Sequence, residues 1–294
     1  MPLERYSKVL KGKARAKFLV AKTRGILDKN IQQAEALMEK CELCEHKCRV
    51  DRTMGGRGFC GVGSQPHVFS AATHWGEESE LVPSATLFFS GCTLRCAYCQ
   101  NAPQSIDYDA GKPISVAEAV KWITKKHREG CSNVNFVGGD PTPNIPFILN
   151  VLKKLKVNIP VVFNSNAYYS EAAAGLLKDV VDVYLLDFRY FDPSCAEHLS
   201  QASNYPEAAK RNLLLAEKNG ELLIRLLVLP GHIECDAKPV LEWVSNNLRN
   251  YRLNVMPQYW PAWHAYTFQE ISRRLSIAEY NDVIEYAKKI GIEI

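Results

Sequence analysis

The chain has 294 residues, 47% hydrophobic and 23% charged, with a net charge of +4. This is globular composition, ample for a buried core, and it excludes a disordered or low-complexity chain. No apolar run reaches the roughly 18 residues needed to span a bilayer, and Phe18-Leu19-Val20-Ala21 is too short for a secretory signal, so a cytoplasmic protein with no membrane span is expected.

In chain order, the first 25 residues carry Arg5, Lys8, Lys11, Lys13, Arg15, Lys17, Lys22 and Arg24 against Glu4 alone. Such a basic arm can meet nucleic acid, an acidic protein or a membrane surface; aromatic residues for base stacking are sparse, so nucleic acid is weakly supported and a solvated tail or helix face is expected. Ile26 to Lys40 has helical spacing. Next comes Cys41-x2-Cys44-x3-Cys48-x11-Cys60, with glycines around the last cysteine. Four thiolates close a metal site, so its role should be structural or electron-conducting, and zinc or an iron-sulfur cluster fits equally. His46 is superfluous while four cysteines suffice. Residues 1–80 thus read as a basic arm, a helix and a cysteine-rich metal-binding segment, ahead of a second region, 81–294.

That region alternates apolar runs with helical stretches. Strands are expected at Thr86 to Phe89, Val134 to Val137, Val161 to Phe163, Val183 to Leu186, Leu222 to Val228 and Leu253 to Met256. Helices are expected at Val116 to Arg128, Ile145 to Leu155, Glu171 to Leu177, Tyr205 to Lys218, Lys238 to Leu248 and Ile277 to Ile290. Repeated βα units imply an α/β fold with a parallel sheet and right-handed crossovers.

Cys92, Cys96 and Cys99 follow the first strand, where ligand loops of parallel α/β folds lie. Three cysteines can be three of four zinc ligands or buried thiols, but no second Cys-x2-Cys pair sits at knuckle distance downstream. Three thiolates can also hold a 4Fe-4S cluster and leave one iron open to a ligand. The x3-x2 spacing, with Tyr98 before the last cysteine, resembles the radical S-adenosylmethionine superfamily. The resemblance implies a partial (β/α)6 TIM-type barrel, for which six units suffice, and a 4Fe-4S cluster that reductively cleaves S-adenosylmethionine to a 5′-deoxyadenosyl radical. It also implies that Tyr98 lies beside the adenine.

The strand ends supply the rest. Gly138-Gly139-Asp140-Pro141 alone would be an ordinary turn, yet its glycines permit close approach of a ligand and its carboxylate can accept from an ammonium. It is similar to the family motif that binds the methionine amino group, with Asp140 in place of the usual Glu. Asn164, Ser165 and Asn166 suit a ribose or carboxylate, or a turn. Asp187-Phe188-Arg189 resembles the Asp-x-Lys stretch of glycyl radical activating enzymes, with Arg189 replacing Lys. Arg225, in a buried strand, needs an anionic partner; the match of Arg225-x4-Pro230-Gly231 to the activators implies that it faces S-adenosylmethionine, and an ion pair within the barrel is the alternative. Tyr259 to Tyr266, including His264, can shape a substrate pocket or pack a closing loop. Cys131, Cys195 and Cys235 are isolated and expected to be inert.

The resemblance, over residues 41 to 270, is closest to an uncharacterised branch related to pyruvate formate-lyase activating enzyme. It implies hydrogen abstraction, with glycyl radical enzyme activation as the leading specific expectation. Radical modification of another peptide, RNA or small molecule is the second, and a non-catalytic iron-sulfur electron carrier is the alternative of another class. A reductant such as ferredoxin or flavodoxin and a protein substrate are the implied partners.

Overall fold

The computed structural model describes residues 3–293. Eight strands form one sheet: β1 (His67–His74), β2 (Ser84–Phe89), β3 (Lys112–Pro113), β4 (Asn133–Gly138), β5 (Val161–Ser165), β6 (Val183–Asp187), β7 (Glu221–Leu227) and β8 (Tyr251–Met256). Their order is β3-β1-β2-β4-β5-β6-β7-β8. β2 and β4 to β8 run parallel, whereas β1 and β3 are antiparallel additions beyond β2. The six expected strands are therefore present, in a partial TIM-type barrel. No described helix is long and apolar enough to cross a membrane.

Among the described residues, ten α-helices accompany the sheet: α1 (Glu4–Leu10), α2 (Lys17–Thr23), α3 (Ile26–Glu39), α4 (Val116–Arg128), α5 (Ile145–Lys154), α6 (Glu171–Leu177), α7 (Pro193–Ser200), α8 (Tyr205–Asn219), α9 (Lys238–Asn247) and α10 (Ile277–Lys289). Local chemistry sets several of their starts. Ser115 and Glu118 form a capping box on α4, as do Ser276 and Glu279 on α10. β5 and β6 read as apolar runs because both faces are covered. Val161, Phe163, Tyr184 and Leu186 pack in the core shared with the helices. The alternate residues Val162, Val183, Leu185 and Leu223 form a separate cluster inside the barrel.

Leu3, Tyr6 and Leu81 complete that inner cluster and plug the barrel beneath it. The Tyr6 hydroxyl accepts from Asn133 Nδ2, at the first residue of β4, at 2.8 Å. Of the two solvated forms expected, a tail or a helix face, this excludes the tail. Tyr6, Val9, Phe18 and Leu19 are buried, and a Phe or Leu buried in this way stabilises by about 1.5–3 kcal/mol. Glu221 accepts the Arg5 and Tyr6 amides, and Asp182 accepts those of Lys17 and Val161. Lys8, Lys11, Lys13, Arg15 and Arg24 remain solvated on the outer face, as expected. β1 lies within residues 1–80 yet extends the barrel sheet, so packing is continuous across position 80.

Candidate active site

At the C-terminal end of β2 the chain turns through Gly91, at φ 86°, into the cysteine loop. A Cβ there would lie 2.3 Å from Val62 Cγ2 and 2.8 Å from the Cys60 carbonyl, so glycine is required. Each loop thiol meets a hydrogen-bond donor. Leu94 N and Asn166 Nδ2 point to Cys92 Sγ at 3.4 and 3.7 Å. Ser200 Oγ points to Cys96 Sγ at 3.1 Å, and Ser105 Oγ lies 3.1 Å from Cys99 Sγ. Burial pushes the Cys92 thiol up, with Asp140 adding to it, and burial also raises Cys96 against the opposing pull of Arg189. Thiolates here therefore need a metal to hold them, and donors to sulfur suit that state.

The three cysteines line a cavity of about 470 Å³, within the range of small-molecule sites. Tyr98, Gly138, Gly139, Asp140, Asn164, Ser165, Asp187 and Arg225 line it too. The folded chain thus gathers residues from the ends or inner faces of four strands, β4 to β7, around one loop. Ser165 Oγ and Asn166 N donate to Asp140 Oδ2 and Thr142 N donates to Oδ1, each at 2.9 Å. Burial raises the Asp140 carboxyl against these lowering bonds. A carboxylate has about four acceptor positions, so capacity remains for a further donor.

The chain is matched by the radical SAM superfamily model over residues 86–244. It belongs to the radical SAM superfamily. It is 41% identical over 275 residues to an uncharacterized protein of Methanocaldococcus jannaschii, covering 92% of this chain and 80% of that one. It is also 30% identical over 158 residues to the pyruvate formate-lyase 1-activating enzyme of Escherichia coli, a match covering 51% of this chain and 62% of that enzyme. Among solved structures, Streptococcus suis SuiB bound to its precursor peptide SuiA shares the fold, with a TM-score of 0.50 at 14% identity over 67% of this chain and 43% of that one. Membership of the radical SAM superfamily implies a 4Fe-4S cluster and S-adenosylmethionine, and three donor-flanked thiols beside a polar cavity fit that pair.

In this radical SAM barrel several residues are engaged differently from the sequence expectation. The Gly138 and Gly139 Cβ positions would collide with Phe89 N at 2.1 Å and with the Gly91 carbonyl at 2.1 Å. The close approach they permit is thus to the end of β2 and to the start of the cysteine loop. Tyr98 is buried, its hydroxyl 2.7 Å from that of Tyr190, which lies 2.7 Å from Ser200 Oγ. The Tyr98 hydroxyl is therefore linked through Tyr190 to Ser200, the donor on Cys96. Asp187 pairs with Arg189 at 2.5 Å. The segment after β8 does not line the cavity beyond Gln258. Tyr259 is buried with its hydroxyl on the Ile271 carbonyl, while Trp260, Trp263 and Tyr266 are exposed by 44%, 43% and 68%. His264 N donates to the Ala97 carbonyl, seating this aromatic rim on the cysteine loop.

Glu77 and Glu78, on the connection after β1, carry no recognisable motif. Both pair with Arg225, supplying its anionic partner inside the barrel. Glu78 Oε1 also accepts from Asn254 Nδ2 at 3.0 Å, and Glu80 pairs with Arg252 at 2.8 Å. This acidic run reaches β8 across the seam left by the open sheet. Despite burial, bonds from His74 and Arg225 hold the Glu77 carboxyl low, and those from Arg225 and Asn254 do the same for Glu78. In return the Glu77 carboxylate, 3.2 Å from His74 Nδ1, raises His74 above 6.5. His74 is therefore expected to titrate above an ordinary histidine in NMR, and Glu77→Gln to return it toward 6.5; an unchanged titration would disprove the pairing. Because the folded value is the higher one, the stabilisation is complete below the unfolded value and is lost as pH rises through the folded one.

The four upstream cysteines lie against the same loop. His46 Nε2 is 2.8 Å from the Thr93 carbonyl and its ring stacks on Phe59, while Arg95 bonds the Phe59 carbonyl. Arg52, 2% exposed, bonds the Gly63 and Pro143 carbonyls and approaches Cys41 Sγ at 3.9 Å. Among the described residues it pairs with no carboxylate, so this buried cation faces the thiols. Cys195 and Cys235 were expected to be isolated; instead their sulfurs lie 3.7 Å apart.

Proposed function

We propose that this radical SAM protein generates a 5′-deoxyadenosyl radical to abstract a hydrogen atom from a protein, a glycyl radical enzyme being the leading candidate. The observation that carries this reading is the convergence of three donor-flanked thiols on a cavity large enough for a nucleoside. In it, Cys92, Cys96 and Cys99 hold the 4Fe-4S cluster. When bound, the cluster supplies one electron to the sulfonium of S-adenosylmethionine, releasing methionine and the radical. Asp140 accepts from the methionine ammonium, Tyr98 flanks the adenine, and Gly138 and Gly139 shape the wall between them. Asn164 and Ser165 meet the ribose or carboxylate, while Asp187 and Arg225 bound the far side. Since Arg225 is neutralised by Glu77 and Glu78, its role is to hold that wall rather than to bind an anion.

Two observations support a protein substrate. Relatives over about half the chain are activating enzymes, and the rim beside the cysteine loop exposes Trp260, Trp263 and Tyr266, residue types enriched at interfaces. A simple electron carrier has no use for a polar cavity next to its cluster. For the upstream quartet we favour a second iron-sulfur cluster that receives electrons from a ferredoxin or flavodoxin. Among the described residues, no three quartet sulfurs lie within 4.8 Å of one another. A single zinc draws its sulfurs to within about 3.8 Å, whereas a cubane holds them further apart. Residues 1–80 would then be a relay region and 81–294 the catalytic barrel, a division of roles rather than of packing.

The test incubates the anaerobic protein with S-adenosylmethionine, reductant and a glycyl radical enzyme. The expected result is a glycyl signal by electron paramagnetic resonance with equimolar 5′-deoxyadenosine. Nucleoside release stimulated by another peptide, an RNA or a metabolite, without the glycyl signal, would reassign the substrate.

A further inference from the structure

Beyond the C-terminal ends of β6 and β7, outside the cavity lining, four side chains with metal-ligand chemistry converge. Cys195 stands on the first turn of α7. His232, Cys235 and Asp236 belong to the turn between β7 and α9. Their ligand atoms all lie within 4.8 Å of one another. Cys195 Sγ is 3.7 Å from Cys235 Sγ, which is 3.4 Å from His232 Nδ1 and 3.7 Å from Asp236 Oδ2. His232 Nδ1 is 3.3 Å from Asp236 Oδ2.

These separations can be compared with the edges of a tetrahedron around zinc. Zn–S bonds of about 2.3 Å and Zn–N or Zn–O bonds of about 2.0–2.1 Å give edges of about 3.8 Å between sulfurs. The same bonds give edges of about 3.5 Å from sulfur to nitrogen or oxygen and about 3.3 Å from nitrogen to oxygen. The four measured edges match to within about 0.2 Å. Asp236 is also prepared for the role. Its Oδ1 accepts the Phe191 and Asp192 amides at 2.7 and 2.9 Å, which aims Oδ2 at the cluster. Asp236 is 3% exposed, and among the described residues it pairs with no lysine or arginine. A buried carboxylate whose ion-pair partner is a histidine is costly while that histidine is neutral, and a divalent ion removes that cost.

We propose that Cys195, His232, Cys235 and Asp236 bind one zinc ion, distinct from both cysteine groups upstream. Four protein ligands close the site, so the ion is structural. It ties α7 to the β7–α9 turn. The last residue of α7 is Ser200, the donor to Cys96, and the Leu199 and Ser200 carbonyls accept the Ala97 and Arg95 amides. The ion thus anchors one end of a helix whose other end braces the cysteine loop.

The test is metal analysis of the full chain, purified anaerobically with zinc as the only added ion, against Cys195→Ser/Cys235→Ser. The parent is expected to hold one more zinc per chain. Asp236→Asn keeps an oxygen for the two amides but removes the anionic ligand, and it is expected to weaken zinc retention against a chelator at least tenfold. Equal zinc in parent and double variant overturns the proposal, as does a Cys195–Cys235 disulfide in the anaerobic parent. Should the double variant fail to fold, the Asp236→Asn comparison decides alone, and unchanged retention overturns the site.

Discussion

Cys96→Ala is expected to reduce reductant-dependent release of 5′-deoxyadenosine to background. Cys96 is buried at the centre of its loop, and two remaining thiolates do not hold a cluster that normally takes at least three. Chromatography of the nucleoside and iron analysis of the same sample check the two halves of the expectation. Iron should fall by about four per chain. Iron that persists reports on Cys41, Cys44, Cys48 and Cys60: about four residual irons would support a second cluster there, and zinc without iron would eliminate it. Unchanged nucleoside release would sink the assignment of Cys92, Cys96 and Cys99.

Asp140→Ala is expected to have the second largest effect, on two properties at once. It removes the acceptor of Thr142 N, Ser165 Oγ and Asn166 N inside the protein. Buried donors left unpaired cost about 1–3 kcal/mol each before relaxation, so a loss of about 3 kcal/mol in folding stability is expected in denaturant titration. Affinity for S-adenosylmethionine should also fall at least tenfold by calorimetry. The Asn166 amide faces Cys92, so the loosening reaches the cysteine loop as well. Normal affinity in a folded variant would show that the ammonium contact lies elsewhere. The carboxylate is a keystone between β4 and β5 whatever it binds, which explains why one methylene fewer than Glu is accommodated: the surrounding donors are already placed for the shorter chain.

The parallel strands were legible because strands buried on both faces read as continuous apolar runs, as Val183 to Leu186 does. β1 was not. Its residues are half-buried almost throughout, and Ser70, Ala71 and Ala72 break any alternation. α7 escaped because eight residues give barely two turns of periodicity, although Asp192 before Pro193 is a helix-start signature that stands in the sequence. The need of Arg225 for an anion was also visible. Its partner Glu78, 147 positions earlier, was not, because only the fold brings that connection under the strands. The same holds for Cys195 and Cys235, forty residues apart: the His232-x2-Cys235-Asp236 spacing was on view, and its fourth member required the barrel.

The plug formed by Leu3, Tyr6 and Leu81 governs traffic. Together with the acidic run across the seam, it fills the barrel on the side away from the cysteine loop, and we infer that the cavity is entered from the loop side. Whatever reacts there arrives by the route along which spent cofactor departs. A macromolecule seated on the aromatic rim would act as a stopper, holding methionine and nucleoside behind it until it dissociates. Under the proposed function, turnover would be ordered: cofactor first in, substrate last in and first out, with the pace of the cycle set by uncapping.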